Sequence, residues 1–216
     1  MPIYFMLLEA SWFHRRMRPA LSASWCRRSF EPCQSLCAEL LPAARAFAGR
    51  YRTGPDEPLL AKVAAGLSFD RACWQLLVGE MLLFAAADIP EIQTAPETLF
   101  FLLDGDSVGQ DAMAREHWSA IRQAHYGAQD LRFGAKVYRQ DSAGYNDLEE
   151  VARLADYLTN LDPAGWTSAG LRTLPGISEE EDRDEELEFA RDCLFDLTGI
   201  YQAAHKDNQL VVCEIL

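Results

Sequence analysis

The chain has no stretch approaching about 20 uncharged apolar residues, the length a membrane-spanning helix requires, although 49% of its 216 residues are apolar. No membrane association is expected. Basic charge is also scarce: 20 Lys and Arg stand against 33 Asp and Glu, giving a formal net charge of −13. Such a body repels the phosphates of nucleic acid, whose binding needs clustered Lys and Arg, so no nucleic-acid partner is expected. Met1 to Phe13 lacks the basic start of a secretory leader and its apolar run is interrupted by Glu9, which points to the cytoplasm. Gly-x-Ser-x-Gly elbows, phosphate-binding Gly loops and dinucleotide fingerprints are absent from the sequence. Their absence does not exclude an active site assembled from dispersed residues.

Two further patterns stop short of a site. The cysteines, at 26, 33, 37, 73, 193 and 213, are even in number, but a chain of this size buries enough core to dispense with disulfides. Cys33 and Cys37 lie one helical turn apart with no second ligand pair nearby, so they read as buried thiols and no metal or cofactor is expected. Asp104, Asp106 and Gly109 match the start of a calcium loop. Val108 and Arg115 then occupy its fifth and twelfth positions, where oxygen ligands belong, so the segment reads as a turn.

What the sequence does mark is architecture. Leu187, Ala190, Leu194, Leu197, Tyr201 and Ala204 recur at three- and four-residue steps, flanked by Cys193 and Ile200, and predict one buried helical stripe across 178–206. Ser178 with Glu181 predicts a capping box, and acids at the start and His205 and Lys206 at the end suit the helix dipole. After Asp207 and Asn208, Leu210 to Leu216 reads as a buried strand. Pro2 to Leu8 reads as a first strand, Pro32 to Gly49 as a helix, and 54–58 as a loop. Ser68 is the expected cap of a helix running toward Phe84, with Gly79 weakening it. Leu99 to Leu103 is read as a strand in preference to a helical turn, and 110–126 as a helix with Met113, Trp118 and Ile121 on its apolar side. Ala135 to Arg139 is a short strand candidate; Asn146 is the expected cap of a helix carrying Leu148, Val151, Leu154, Ala155 and Leu158. Pro163 opens a short turn around Trp166 and Leu171. The expected fold is α+β: a small mixed sheet including the N- and C-terminal strands, covered by several helices.

Three stretches carry a family resemblance. Leu67 to Trp74, with Asp70 at its centre, followed by Leu76, Leu77, Val78 and Gly79, resembles the Leu-x-Leu-Asp-Lys-x-Trp…Leu-x-Gly segment of the YfbM-like bacterial proteins, a domain of unknown function. Here Cys73 stands at the family's Trp position and Trp74 falls one place later. The 147–161 helix, Asp162 and Pro163, then Leu174, Pro175 and Gly176 resemble the family's helix, Leu-Asp turn and Tyr-Pro-Gly segment, with Leu174 replacing the Tyr. The closing helix and strand are similar as well. The resemblance is weakest in 106–134, an insert-like region, and implies a single compact domain over 1–216 without implying an activity.

Candidate sites are few. Glu116, His117 and His125 would supply acid and base groups if their helix faced a cleft. The acid run Glu179, Glu180, Glu181 and Asp182 would attract a basic protein, and Trp12, Trp25, Trp118 and Trp166 are potential interface anchors. Residues 1–54 hold eight Arg against three Glu; Arg15, Arg16, Arg18, Arg27 and Arg28 read as partners for the protein's own acids. The expected function is a non-enzymatic protein-binding factor of the immunity or accessory kind, with an acidic surface. The competing expectation is a hydrolase or other enzyme built on a dispersed carboxylate and His site.

Overall fold

The computed structural model describes residues 2–51, 57–93, 96–104, 112–177 and 179–215. In chain order the elements are β1 Pro2–Glu9, α1 Ala10–Trp12, a π-helical turn Phe13–Met17, α2 Arg18–Arg27, α3 Gln34–Tyr51, α4 Leu59–Ala64, α5 Arg71–Ala85, β2 Glu91–Gln93, α6 Pro96–Asp104 and α7 Ala112–Tyr126. There follow β3 Gln129–Asp130, β4 Arg132–Phe133, β5 Lys136–Val137, β6 Ala143–Asn146, α8 Leu148–Thr159, α9 Glu180–Lys206 and β7 Gln209–Ile215, with 3-10 turns at Glu31–Cys33, Pro163–Gly165 and Ser168–Leu171. The fold is α+β. Five strands form one sheet in the order β2-β1-β7-β6-β3, so both terminal strands lie at its centre. Their apolar runs are buried on both faces, which is why neither alternates with polar residues. The β1–β2 and β6–β7 pairings are antiparallel, with Ile3 opposite Ile92 and Gly144 opposite Cys213.

The contacts divide the chain into two compact units: Met1–Phe5, Pro90–Gln129 and Ser142–Leu216 in one, Met6–Ile89 and Asp130–Asp141 in the other. Charge divides with them. The first unit carries 7 basic and 23 acidic side chains, net −16, and the second 13 and 10, net +3.

In the first unit α9 packs against α8, α6 and β7, and every residue of its expected stripe, Leu187 through Ala204 with Cys193 and Ile200, is buried. Leu171, Leu174 and Leu187 form a satellite cluster with Phe101, Leu102, Trp166 and Ile177 around them. The helix start differs from expectation: Glu179 occupies the capping position without a side-chain cap, and Ser178 lies outside the described residues. The Asn146 cap is also corrected. Asp147 caps α8 and forms a capping box with Glu150, while buried Asn146 ends β6 and does different work. Its amide donates to Gln123 O at 2.9 Å and to Tyr201 Oη at 2.7 Å, and its Oδ1 accepts from Ala128 N at 2.9 Å. Tyr201 Oη in turn donates to Ala124 O at 2.8 Å. The Ala124 carbonyl in the last turn of α7 thereby receives a buried hydroxyl donor, while the Gln123 carbonyl adds the Asn146 amide to the bond it accepts from Gly127 N at 2.9 Å. Leu99 to Leu103 lies within α6 instead of a strand; Pro96 in the first turn with Glu97 behind it is a helix start, and the apolar run then packs on α7 and α9.

In the second unit Asp70, not Ser68, caps α5 by accepting the Cys73 N–H at 2.9 Å. Gly79 lies inside α5 without breaking it, and a Cβ there would come within 2.8 Å of Tyr138 Oη, a close approach that Gly leaves open. Glu80 of α5 caps α4, accepting from Leu59 N at 3.0 Å and Leu60 N at 2.9 Å. Most of the expected loop at 54–58 lies outside the described residues.

Candidate functional site

The two candidate histidines share α7 but have separate environments. His117 sits where α7 meets the end of α6: its Nδ1 lies 3.0 Å from Asp104 Oδ1. An ionised carboxylate only accepts, so Nδ1–H donates, and in the neutral tautomer of the ring this leaves the lone pair on Nε2. The Asp104 side chain is 8% exposed and that of His117 21%. Two buried atoms complete the group, since Asp104 Oδ2 and Tyr157 Oη have no hydrogen-bond partner among the described residues. Tyr157 reaches the site from α8, its ring 5.9 Å from that of His117. Burial, reinforced by the charges of Asp104 and Glu116, pushes its phenol well above the ordinary value. Glu116 itself is exposed. His117 and Glu116 are thus legible as residue types, whereas Asp104 carries the signal of a turn residue and Tyr157 has the helical spacing of any partly buried position. Asp106 and Gly109 lie outside the described residues.

His125 is not part of this group. It is fully buried, its Nδ1 donates to Ile121 O at 2.7 Å, and its Nε2 faces Cys193 Sγ at 4.0 Å. Burial holds its pKa down at about 4, so the ring is neutral and serves the core.

The thiols follow the same logic. Cys33, Cys37, Cys193 and Cys213 are buried, and all six cysteines are free. Burial pushes Cys33 up to about 11 and Cys37 up to about 12, so neither is a ready thiolate. Among the described residues no three His, Cys, Asp or Glu side chains gather as a metal site would require.

The acid run opens the 27-residue helix α9, with Glu179, Glu180, Glu181 and Asp182 all exposed. The outward face continues the charge as Glu185, Glu188, Asp192 and Asp196, opposite the buried stripe. Glu188 is paired with Arg191 at 2.6 Å. Among the described residues Glu181, Glu185, Asp192 and Asp196 have no ion pair. Set into this face is Phe195, 79% exposed, which the sequence reading missed because a lone apolar residue between two acids gives no periodic signal. Of the proposed tryptophan anchors, Trp118, expected on the apolar side of its helix, packs edge-on against Phe100 and stays 38% exposed; Met113 side-chain placement lies outside the described residues. Trp166 is taken up by the satellite cluster. No described helix is long and apolar enough to cross a membrane.

No family model and no curated protein matches the sequence. Among solved structures, the crystal structure of YfbM from Escherichia coli, a protein of unknown function, aligns with this chain over 100% of both chains at 14% identity and a TM-score of 0.46. The alignment meets the resemblance read from the sequence. At this similarity it assigns no activity and no residue role.

Proposed function

We propose that the protein is a binding factor of the accessory or immunity kind, which engages a basic protein through the outward face of α9. The observation that carries this reading is Phe195, 79% exposed between Asp192 and Asp196 on a helix whose other face is buried. An aromatic ring anchors an interface through buried area at low entropic cost, while surrounding charges select the partner and speed encounter. The −16 balance of this unit supplies the long-range field, and the acids from Glu179 to Asp182 extend the face at the helix start. Two variants separate anchor from field. Phe195→Ser should remove a basic protein from the set retained from native lysate by the immobilised wild type. Neutralising Glu179, Glu180, Glu181 and Asp182 should slow association with that protein and flatten its salt dependence. Phe195→Ser should keep stability within about 0.5 kcal/mol, as for an ordinary surface substitution, and the four-fold neutralisation, which removes acids favoured at a helix start, should cost roughly 1 to 2 kcal/mol while leaving the fold intact. Identical retained sets for wild type and Phe195→Ser would remove this face from consideration.

A second reading is favoured by the Asp104–His117 pair. A carboxylate that fixes the tautomer of a histidine, with Nε2 left over and a buried phenol nearby, is the arrangement of a proton-transfer site. In this reading His117 Nε2 is the base and Asp104 orients it, with the buried Tyr157 phenol beside the pair. Incubation with the small-molecule fraction of the native cell, followed by mass spectrometry, should then show a compound consumed by the wild type and spared by His117→Asn. Equal profiles for the two proteins would sink the enzymatic reading without touching the α9 face.

A further inference from the structure

The second unit gathers positive charge around one indole. Arg28, Lys136 and Arg71 place their charged groups 4.7, 5.7 and 5.9 Å from the centre of the Trp25 ring. Trp25 is half-buried, backed by Trp74 with ring centres 4.9 Å apart and by Phe69 at 6.4 Å. The three cations come from different elements, the end of α2, the start of α5 and β5, so the chain must fold to bring them together. None of them makes an ion pair among the described residues, although acids outnumber bases 33 to 20 in the whole sequence. Asp70 is adjacent in sequence to Arg71, and its carboxylate is engaged by the Cys73 N–H. The expectation that Arg28 pairs with the protein's own acids is thus not met, whereas Arg16 does pair with Glu39.

Arg28 is informative for a second reason. It ends α2 at φ 51 and ψ 46, the left-handed conformation in which helices ordinarily place Gly. A side chain there carries a backbone cost that Gly would avoid. Stacking over Trp25 accounts for one guanidinium, since a ring face attracts a cation. It does not account for three, because like charges held around one ring repel one another.

We propose that Arg28, Arg71 and Lys136 form a binding site for a small anion bearing a phosphate or diphosphate group, with Trp25 as its floor. Guanidinium forks fit phosphate oxygens, and the Lys ammonium adds a point charge. The small size follows from the geometry: all three cations converge on a single ring instead of forming a track, and the net charge of −13 opposes an extended polyanion.

The test is isothermal titration of the full chain with pyrophosphate at low ionic strength. Saturable binding is expected for the wild type, weakened about tenfold or more by Arg71→Gln and by Lys136→Gln, as loss of a charge-assisted contact predicts. Arg45→Gln, which removes an equal charge from an exposed position elsewhere in the same unit, should bind as the wild type does. Circular dichroism melting of each variant separates lost binding from lost fold. Absence of saturable heat with wild type, or an equal loss in Arg45→Gln, would overturn the proposal. So would co-sedimentation with phosphatidic acid vesicles, or retention of a single-stranded oligonucleotide, in a protein that ignores pyrophosphate.

Discussion

Leu194→Ala should cost roughly 2 to 5 kcal/mol of unfolding free energy, the range for truncating a large side chain in a packed core. Leu194 is 4% exposed at the middle of α9, among buried Ala190, Leu197 and Tyr201 on the same stripe. The cost combines lost transfer energy with a cavity that α8 and α9, fixed by their neighbours, close only in part. The next residue provides the control. Phe195 is larger than Leu194, yet at 79% exposure its truncation to Ala should change stability by less than about 0.5 kcal/mol. Urea denaturation of the two variants under identical conditions measures both. A Leu194→Ala loss below about 0.5 kcal/mol would place the wrong face of α9 inward and would remove the acidic face proposed for binding along with it.

This pair shows why α9 was legible from the sequence. Its stripe is sustained over many turns, and every position in the stripe that the periodicity marks is buried. The two terminal strands were legible through their apolar runs. Other elements carried no comparable signal. Residues 10–27 are helical through α1, a π turn and α2, but their Arg-rich composition presents no clear apolar face and they went unread. The strand β6 is four residues long, and Gly144 within it breaks the alternation. That Gly is there because a Cβ would come within 2.1 Å of Tyr126 O, a close backbone approach that only the tertiary structure defines. Asn146 shows a related ambiguity: a cap residue immediately before a helix is a sound local inference, but Asp147 beside it has the same chemistry, and burial decided between them. The candidate sites were legible only as residue types. Arg28, Arg71 and Lys136 are far apart in sequence, as are Asp104 and Tyr157, and no local pattern joins either set.

Stability should fall by about 3 kcal/mol between pH 6.5 and pH 4 through His125 alone, from a pKa of 6.5 in the unfolded chain held down to about 4 in the fold. The cause is burial, which excludes water from the imidazolium; the Ile121 carbonyl, accepting from Nδ1 at 2.7 Å, opposes the shift only in part. Because the depressed pKa belongs to the folded state, the unfolded chain takes up more protons throughout this window. The contribution is complete above pH 6.5, declines as pH falls, and levels off below about 4. His125→Gln removes the ionisable group, so its stability should depend less on pH across the window than that of the wild type, by most of this amount. Chemical denaturation from pH 7 to pH 5 suffices, and taking the difference between variant and wild type cancels the carboxylates common to both. Parallel curves for wild type and His125→Gln would mean that His125 meets water, in which case Cys193 and the end of α7 are not the sealed core described above and the histidine returns to the list of groups able to exchange protons with a substrate.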